Sequence, residues 1–87
     1  MFRKFRGMRI SYNRQGLIYF TCMDVKNQPQ EIQDKILNLC MDVSGEHYRA
    51  LYKMLTDSTR NVHSIAMEFH ICETQLYHYR KIFYEKW

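Results

Sequence analysis

Polar side chains able to contact a nucleic acid are concentrated between positions 60 and 81 of this 87-residue chain. Arginine and lysine bind phosphate oxygens, whereas amide, hydroxyl, imidazole and carboxylate groups form hydrogen bonds with the edges of bases. This stretch therefore predicts recognition of DNA. The candidate residues are Arg60, His63, Glu73, Thr74, Gln75, Tyr77, His78, Arg80 and Lys81.

Reactive side chains elsewhere lack the spacing of a catalytic or metal site. Cys22, Cys40 and Cys72 are an odd number without a CxxC pair, so we expect neither a disulfide framework nor a zinc site. A cysteine–histidine nucleophile stays open, although no thiol stands out as activated. The glycines are too far apart for a phosphate-binding loop, and the longest apolar run, 17–23, is too short to span a membrane. We expect a cytoplasmic protein that is not an enzyme, with reduced, largely buried thiols and no metal or cofactor.

Charge is unevenly distributed along the chain, whose net charge is +4. Residues 1–16 hold five basic and no acidic side chains, 17–46 hold two basic and five acidic, and 47–87 hold six basic and four acidic. The two basic ends favour binding to a polyanion, with solubility alone as the alternative. In the predicted basic arm, 1–7, the cations Arg3, Lys4 and Arg6 either enter a DNA minor groove, add nonspecific attraction or stay inert.

Composition and spacing predict a small, mainly helical domain behind this arm. Hydrophobic residues make up 46% of the chain, enough for a core, but 87 residues allow only a small core and rule out separate substrate and cofactor domains. We expect a single domain over 8–87. Apolar residues recur at helical spacing in a helix of about 29–42, and a second helix, about 45–56, follows with Ser44 as its N-cap.

The stretch 8–23 predicts a β-hairpin. Its apolar residues alternate with polar ones on both sides of Asn13–Gly16, a composition typical of a type I turn closed by glycine. We expect strand 8–13 to pair with strand 17–22. A lone hairpin is marginal in water, so this one must pack on the helices or pair with a second copy.

The spacing of apolar residues over 62–81 is typical of a helix-turn-helix. It predicts a helix of about 61–69, a tight turn and a recognition helix from Glu73 to about Glu85. The apolar positions are Ile65, Phe69, Ile71, Leu76 and Tyr79, with the small Ala66 where the helices cross, and Phe83 and Ile82 extending the stripe. His70 stands where the turn usually has glycine, and Cys72 is a poor N-cap. The predicted fold is thus a three-helix helix-turn-helix unit over 45–87, preceded by one further helix and the hairpin.

Several of these residues also resemble a known group of proteins. The matching segments are Ile65–Ala66, Phe69–Glu73, Leu76–Tyr77, Tyr79–Lys81 and the final Phe-Tyr-Glu-Lys-Trp. They resemble the helix-turn-helix of sigma-factor region-four-like regulators, including small regulators of phages and conjugative elements of Gram-positive bacteria. The resemblance covers about 46–87 and implies a transcriptional regulator of a mobile element that binds a promoter or operator. The chain is too short to hold the polymerase-binding and melting regions of a complete sigma factor.

The candidate residues divide by the part of DNA that their chemistry suits. Phosphates suit the residues Arg60, His63, Arg80, Lys81 and Lys86, whereas base edges suit Thr74, Gln75, Tyr77 and His78. Glu73 repels phosphate unless it accepts a hydrogen bond from a cytosine amino group. For Arg80, an ion pair with Glu46 or another acid is the alternative to a phosphate contact. The competing hypothesis is a protein-interaction module on the same scaffold, binding RNA polymerase or another regulator. A homodimer through the hairpin or the 29–42 helix also stays open.

Overall fold

The computed structural model describes residues 3–87, and every regular element in that range is helical. The five α-helices are α1 (Tyr12–Met23), α2 (Gln30–Ser44), α3 (Tyr48–Thr56), α4 (Val62–Phe69) and α5 (Glu73–Lys86). Short 3-10 turns, Val25–Asn27 and Gly45–His47, precede α2 and α3. Met1 and Phe2 of the predicted arm lie outside the described residues.

The β-hairpin predicted for 8–13 and 17–22 is wrong, because this stretch forms helix α1. Ser11 starts the helix: its side-chain oxygen accepts a hydrogen bond from the backbone N–H of Arg14 at 3.2 Å. Serine is among the best N-caps, and its place three residues before Arg14 suits this bond. Gly16 lies within the helix and closes no turn. Without a strand in the described part of the chain, the idea of a dimer paired through this hairpin also fails.

The faces of α1 explain why the alternating pattern was misleading. Gln15, Ile18 and Cys22 are fully buried on one face, at the spacings of three and four that a helix requires. Phe20 lies between two of them in the sequence but is 54% exposed, because the 100° turn per residue directs it away from the core. A short apolar run fits both the two-residue alternation of a strand and the spacing of three and four of a helix. Packing against α3 selects the helix.

Helix α2 confirms the helix predicted for 29–42, and its N-cap position is Pro29. The helix predicted for 45–56 is shorter than expected, since a 3-10 turn occupies its first residues and α3 begins at Tyr48. Ser44 is wrong as the N-cap of this helix: it ends α2, and its hydroxyl donates to the carbonyl of Cys40 at 2.7 Å. Gly45 follows with a positive φ of 55°, which ends α2 without the strain that a side chain would cause.

Helices α4 and α5 confirm the boundaries predicted for the last two helices to within one residue. The Asn61 side chain caps α4 by accepting from the N–H of Ser64 at 2.7 Å. His70 adopts the left-handed conformation, with φ 56° and ψ 45°, and the next N–H, of Ile71, bonds to the Ala66 carbonyl at 3.0 Å. Cys72 precedes α5 without a side-chain capping bond, as expected of a poor cap.

The core lies around α3, which contacts the four other helices. Buried side chains from every helix meet there, with Ile71 from the turn between α4 and α5. The predicted positions Ile65, Ala66 and Leu76 are buried, whereas Phe69 and Tyr79 are half-buried and pack against the core. Tyr84, which the sequence did not single out, is only 2% exposed. This packing holds α4 and α5 in place at the C-terminal end of the chain.

Candidate nucleic-acid interface

Helix α5 has a buried side and an exposed side. Leu76 and Phe83 are fully buried, so the residues between them on the opposite side face solvent. Five of the nine candidates for base or phosphate contact lie there, all exposed: Thr74, Gln75, Tyr77, His78 and Lys81. The structure therefore brings these candidates together on one helix surface, which we call the α5 face. A large ring on this surface, Tyr77, is 45% exposed.

One hydrogen bond orders the α5 face along the helix axis. The side-chain amide nitrogen of Gln75 donates to the hydroxyl of Tyr79, one turn later, at 2.7 Å. The bond holds the Gln75 side chain along α5. Because the amide group is planar, fixing its nitrogen also fixes the direction of its oxygen. Ordering a flexible glutamine before binding reduces the entropy lost when it meets a base.

Arg80 lies beneath this face and packs on aromatic rings. Its guanidinium carbon is 3.7 Å from the ring centroid of Phe5 and 5.1 Å from that of Tyr77. Burial lowers the pKa of Arg80, because loss of water disfavours the charged form. Its Nε is buried without a hydrogen-bond partner, and among residues 3–87 it forms no ion pair, with Glu46 or any other acid. Arg80 therefore joins the N-terminal segment to α5.

The N-terminal segment is anchored to the helices at Phe5. The Phe5 ring packs edge-on against Tyr84, with centroids 5.4 Å apart, and its N–H donates to the side-chain oxygen of Gln15 at 2.8 Å. The amide nitrogen of the same buried Gln15 donates to the Ile10 carbonyl at 3.0 Å. One glutamine side chain thus satisfies two backbone groups and fixes the path of the chain between them.

This anchor places the predicted arm cations beside α5. Arg3, Lys4 and Arg6 are exposed and lie within two residues of Phe5 in the sequence, so the packing of Phe5 on Arg80 tethers them to α5. The sequence could not predict this position, because a phenylalanine among basic residues does not reveal its packing partner. A hydrophobic residue in a basic arm is the one signal that could have suggested an anchor.

Arg60 is already bound within the protein. Its Nε donates to the Ser64 hydroxyl at 2.9 Å, and a terminal nitrogen donates to a carboxylate oxygen of Glu68 at 2.6 Å. Lys53 reaches the other oxygen of this carboxylate at 3.3 Å. These hydrogen bonds lower the pKa of the Glu68 carboxyl from its ordinary value of 4.5. A phosphate that binds Arg60 therefore competes with Glu68 for its guanidinium.

His63 and Glu73 form a contact between α4 and α5. The His63 ring nitrogen Nδ1 lies 3.1 Å from a carboxylate oxygen of Glu73; the His63 side chain is exposed and that of Glu73 is half-buried. Glu73 is in the first turn of α5, where a negative charge is stabilised by the helix dipole. The contact borders a shallow pocket of about 440 Å³ at the turn, lined in part by Met67 and His70. These two candidates are thus brought together, at the N-terminal end of the α5 face.

The cysteines are free within residues 3–87 but differ in exposure. Cys22 and Cys40 are fully buried, and burial raises the pKa of each thiol to about 12. Cys72, in contrast, is exposed, so the expectation of three largely buried thiols holds for only two. The same residues contain no group of three metal-ligating side chains and no helix with the length and hydropathy to cross a membrane.

Comparisons with protein-family models, with curated proteins and with solved structures find no match for this chain. The similarity of 46–87 to sigma-factor region-four-like regulators therefore stays a prediction from its motifs. Function has to be inferred from the residues and the way in which the helices arrange them.

Proposed function

We propose that this protein is a sequence-specific DNA-binding transcriptional regulator that reads the major groove with the α5 face. The observation that best supports the proposal is the anchoring of a basic segment beside that face through Phe5 and Arg80. Recognition of DNA needs cations for the phosphates and neutral polar groups for the bases, positioned together on one surface. The anchored segment and the α5 face supply these two sets side by side.

The size and chemistry of α5 suit the major groove. Its 14 residues span about 21 Å at about 1.5 Å per residue, and the groove is wide enough for one α-helix. Gln75 can form paired hydrogen bonds with adenine, and Thr74 can contact a thymine methyl group. Lys81, nearer the C-terminal end of the face, is placed to meet a phosphate on the groove wall.

The basic segment contributes affinity in this proposal. Arg3, Lys4 and Arg6 are exposed cations with no acidic residue nearby in the sequence. Neutralising phosphates releases counterions, so binding must weaken as salt rises. Because the segment is anchored at Phe5, part of its conformational entropy is already lost on folding. Less is therefore lost when these cations bind DNA.

Binding to duplex DNA as a function of salt tests the proposal. Fluorescence anisotropy with the DNA flanking the gene and with random duplex should show tighter binding to the former and a steep fall with salt. Lys81→Ala should weaken binding to both DNAs, and should reduce the slope of log affinity against log salt concentration by about 1. Gln75→Ala should mainly affect the specific site, by about 1–3 kcal/mol. Lys26→Ala is the matched control, an exposed lysine in the turn between α1 and α2.

Two results would overturn the proposal. One is the absence of binding to any duplex at low salt, where the electrostatic attraction is strongest. The other is an equal effect of Lys81→Ala and Lys26→Ala, which would mean that only net charge matters and that the α5 face has no role.

A further inference from the structure

A second surface, formed by α2, α3 and α4, contains a groove with an apolar floor. Its volume is about 390 Å³, and its lining includes Leu37 from α2, Tyr48 and Tyr52 from α3 and Phe69 from α4. Leu37 is 36% exposed, and Met41, one turn further along α2, is 40% exposed. The groove together with Met41 thus presents apolar groups at i and i+4 on one side and three aromatic rings on the other.

Two cations border the groove. Arg49 is exposed, and its Nε donates to the Tyr48 hydroxyl at 3.3 Å. This hydrogen bond raises the pKa of the guanidinium. Lys53 lies 5.8 Å from the centroid of the Phe69 ring and forms an ion pair with Glu68. The Glu68 carboxylate also binds Arg60, so its single negative charge is shared between two cations. Among the residues that line the groove, Arg49 and Lys53 against Glu68 leave one net positive charge.

We propose that this groove binds an acidic amphipathic helix of a protein partner. The apolar floor suits side chains presented at i, i+4 and i+7 of a helix, which is a recurring mode of peptide recognition. Carboxylates beside that apolar stripe would meet Arg49 and Lys53, so charge complementarity selects an acidic segment over a basic one. A DNA strand does not suit the groove, because its charged phosphates would lose water against an apolar floor without gaining hydrogen bonds.

The groove and the α5 face are separate surfaces. The residues that line the groove come from α2, α3 and α4, and none comes from α5 or the N-terminal segment. A partner in the groove therefore leaves the α5 face exposed, and the protein can bind both at once. Peptide binding needs no DNA, so this proposal stands or falls independently of the proposed DNA recognition.

A designed peptide probes the groove directly. It is a labelled helix of about 14 residues, about four turns, with Leu and Phe at i, i+4 and i+7 and Glu beside them. The matched peptide has Lys in place of each Glu. Fluorescence anisotropy should show binding of the Glu peptide to the full chain, and at least about tenfold weaker binding of the Lys peptide. Amide chemical shifts should change at Leu37, Tyr48 and Phe69.

Variants of the protein separate the groove from general electrostatics. Arg49→Glu should weaken the Glu peptide by about tenfold and strengthen the Lys peptide, because it reverses one charge at the border. Lys26→Glu, the matched charge change at an exposed lysine outside the groove, should affect both peptides much less. Leu37→Asp should abolish binding of the Glu peptide, because it places a charge on the apolar floor. Circular dichroism of each variant confirms that it is folded.

Three outcomes would overturn the proposal. They are equal binding of the two peptides, equal effects of Arg49→Glu and Lys26→Glu, and chemical-shift changes confined to residues outside the groove. Binding of duplex DNA by Leu37→Asp at wild-type affinity, with peptide binding lost, would support two separate surfaces. Loss of both activities in a folded Leu37→Asp variant would contradict their separation.

Discussion

Replacement of Phe5 by alanine tests the anchor that places the basic segment beside α5. The change removes the ring that packs on Tyr84 and Arg80 but leaves every charged residue in the chain. It therefore separates the position of the cations from their number. Net charge stays at +4, and any loss of DNA affinity must come from loss of position.

The magnitude follows from two contacts of the Phe5 ring and from its partial burial. The stacked Arg80 guanidinium, partly removed from water, contributes about 1 kcal/mol. The edge-on contact with Tyr84 contributes about 1 kcal/mol, and burial of half a phenylalanine side chain about 1 kcal/mol. Such terms are not additive, so we expect Phe5→Ala to lower the free energy of unfolding by about 2–3 kcal/mol.

Two assays measure the consequences. Urea denaturation gives the change in the free energy of unfolding, and anisotropy with duplex DNA at fixed salt gives the change in affinity. We expect affinity to fall by about tenfold, or about 1.4 kcal/mol, since Arg3, Lys4 and Arg6 become a flexible tether. Phe20→Ala is the matched control, the same substitution at a ring that is 54% exposed on α1, and should affect both quantities less.

Either of two results would refute this reasoning. If Phe5→Ala leaves the free energy of unfolding unchanged, the ring does not anchor the segment. If stability falls as expected but DNA affinity stays at the wild-type value in the folded protein, the segment is anchored but its position has no part in binding.

The remaining predictions concern acid stability and thiol reactivity. Because the pKa of Glu68 is lowered in the folded state, its stabilising contribution is present above about pH 4.5 and is lost as pH falls through the folded value. Denaturation across pH should therefore show a difference between wild type and Glu68→Gln that disappears in acid. The same change at Glu85, an exposed glutamate outside this ion pair, is the matched control; a constant difference for Glu68→Gln would contradict the ion pair. Native protein should react with a thiol reagent at Cys72 only, because Cys22 and Cys40 are buried with a pKa of about 12. Modification of all three without unfolding, seen by mass spectrometry, would contradict this packing.

The boundaries of α4 and α5 could be predicted because their signals are local. A histidine able to adopt positive φ at 70 and apolar residues at spacings of three and four both act within a few residues. The exposed side of α5 follows from the same spacing, since burial of Leu76 and Phe83 determines which residues face away. This is why the candidates on α5 are found together.

The hairpin prediction failed because a short apolar run fits two periods. In residues 17–23 nearly every side chain is apolar, so alternation and helical spacing both match. Gln15 was misleading too, because it is a polar side chain that the sequence suggests for the surface but that is fully buried. Its burial depends on the backbone groups of Phe5 and Ile10, which the chain brings to it only once folded.

The sequence alone determined the helical C-terminal half, the side of α5 that faces solvent and the uneven distribution of charge. Each of these depends on neighbours within one or two helical turns. Tertiary structure alone decided that Phe5 packs on Arg80, that Lys53 of α3 pairs with Glu68 of α4, and that a cationic groove forms between three helices. These contacts join residues far apart in the chain, or surfaces of several elements. Their free energy exists only after the helices have packed, so no local pattern encodes them.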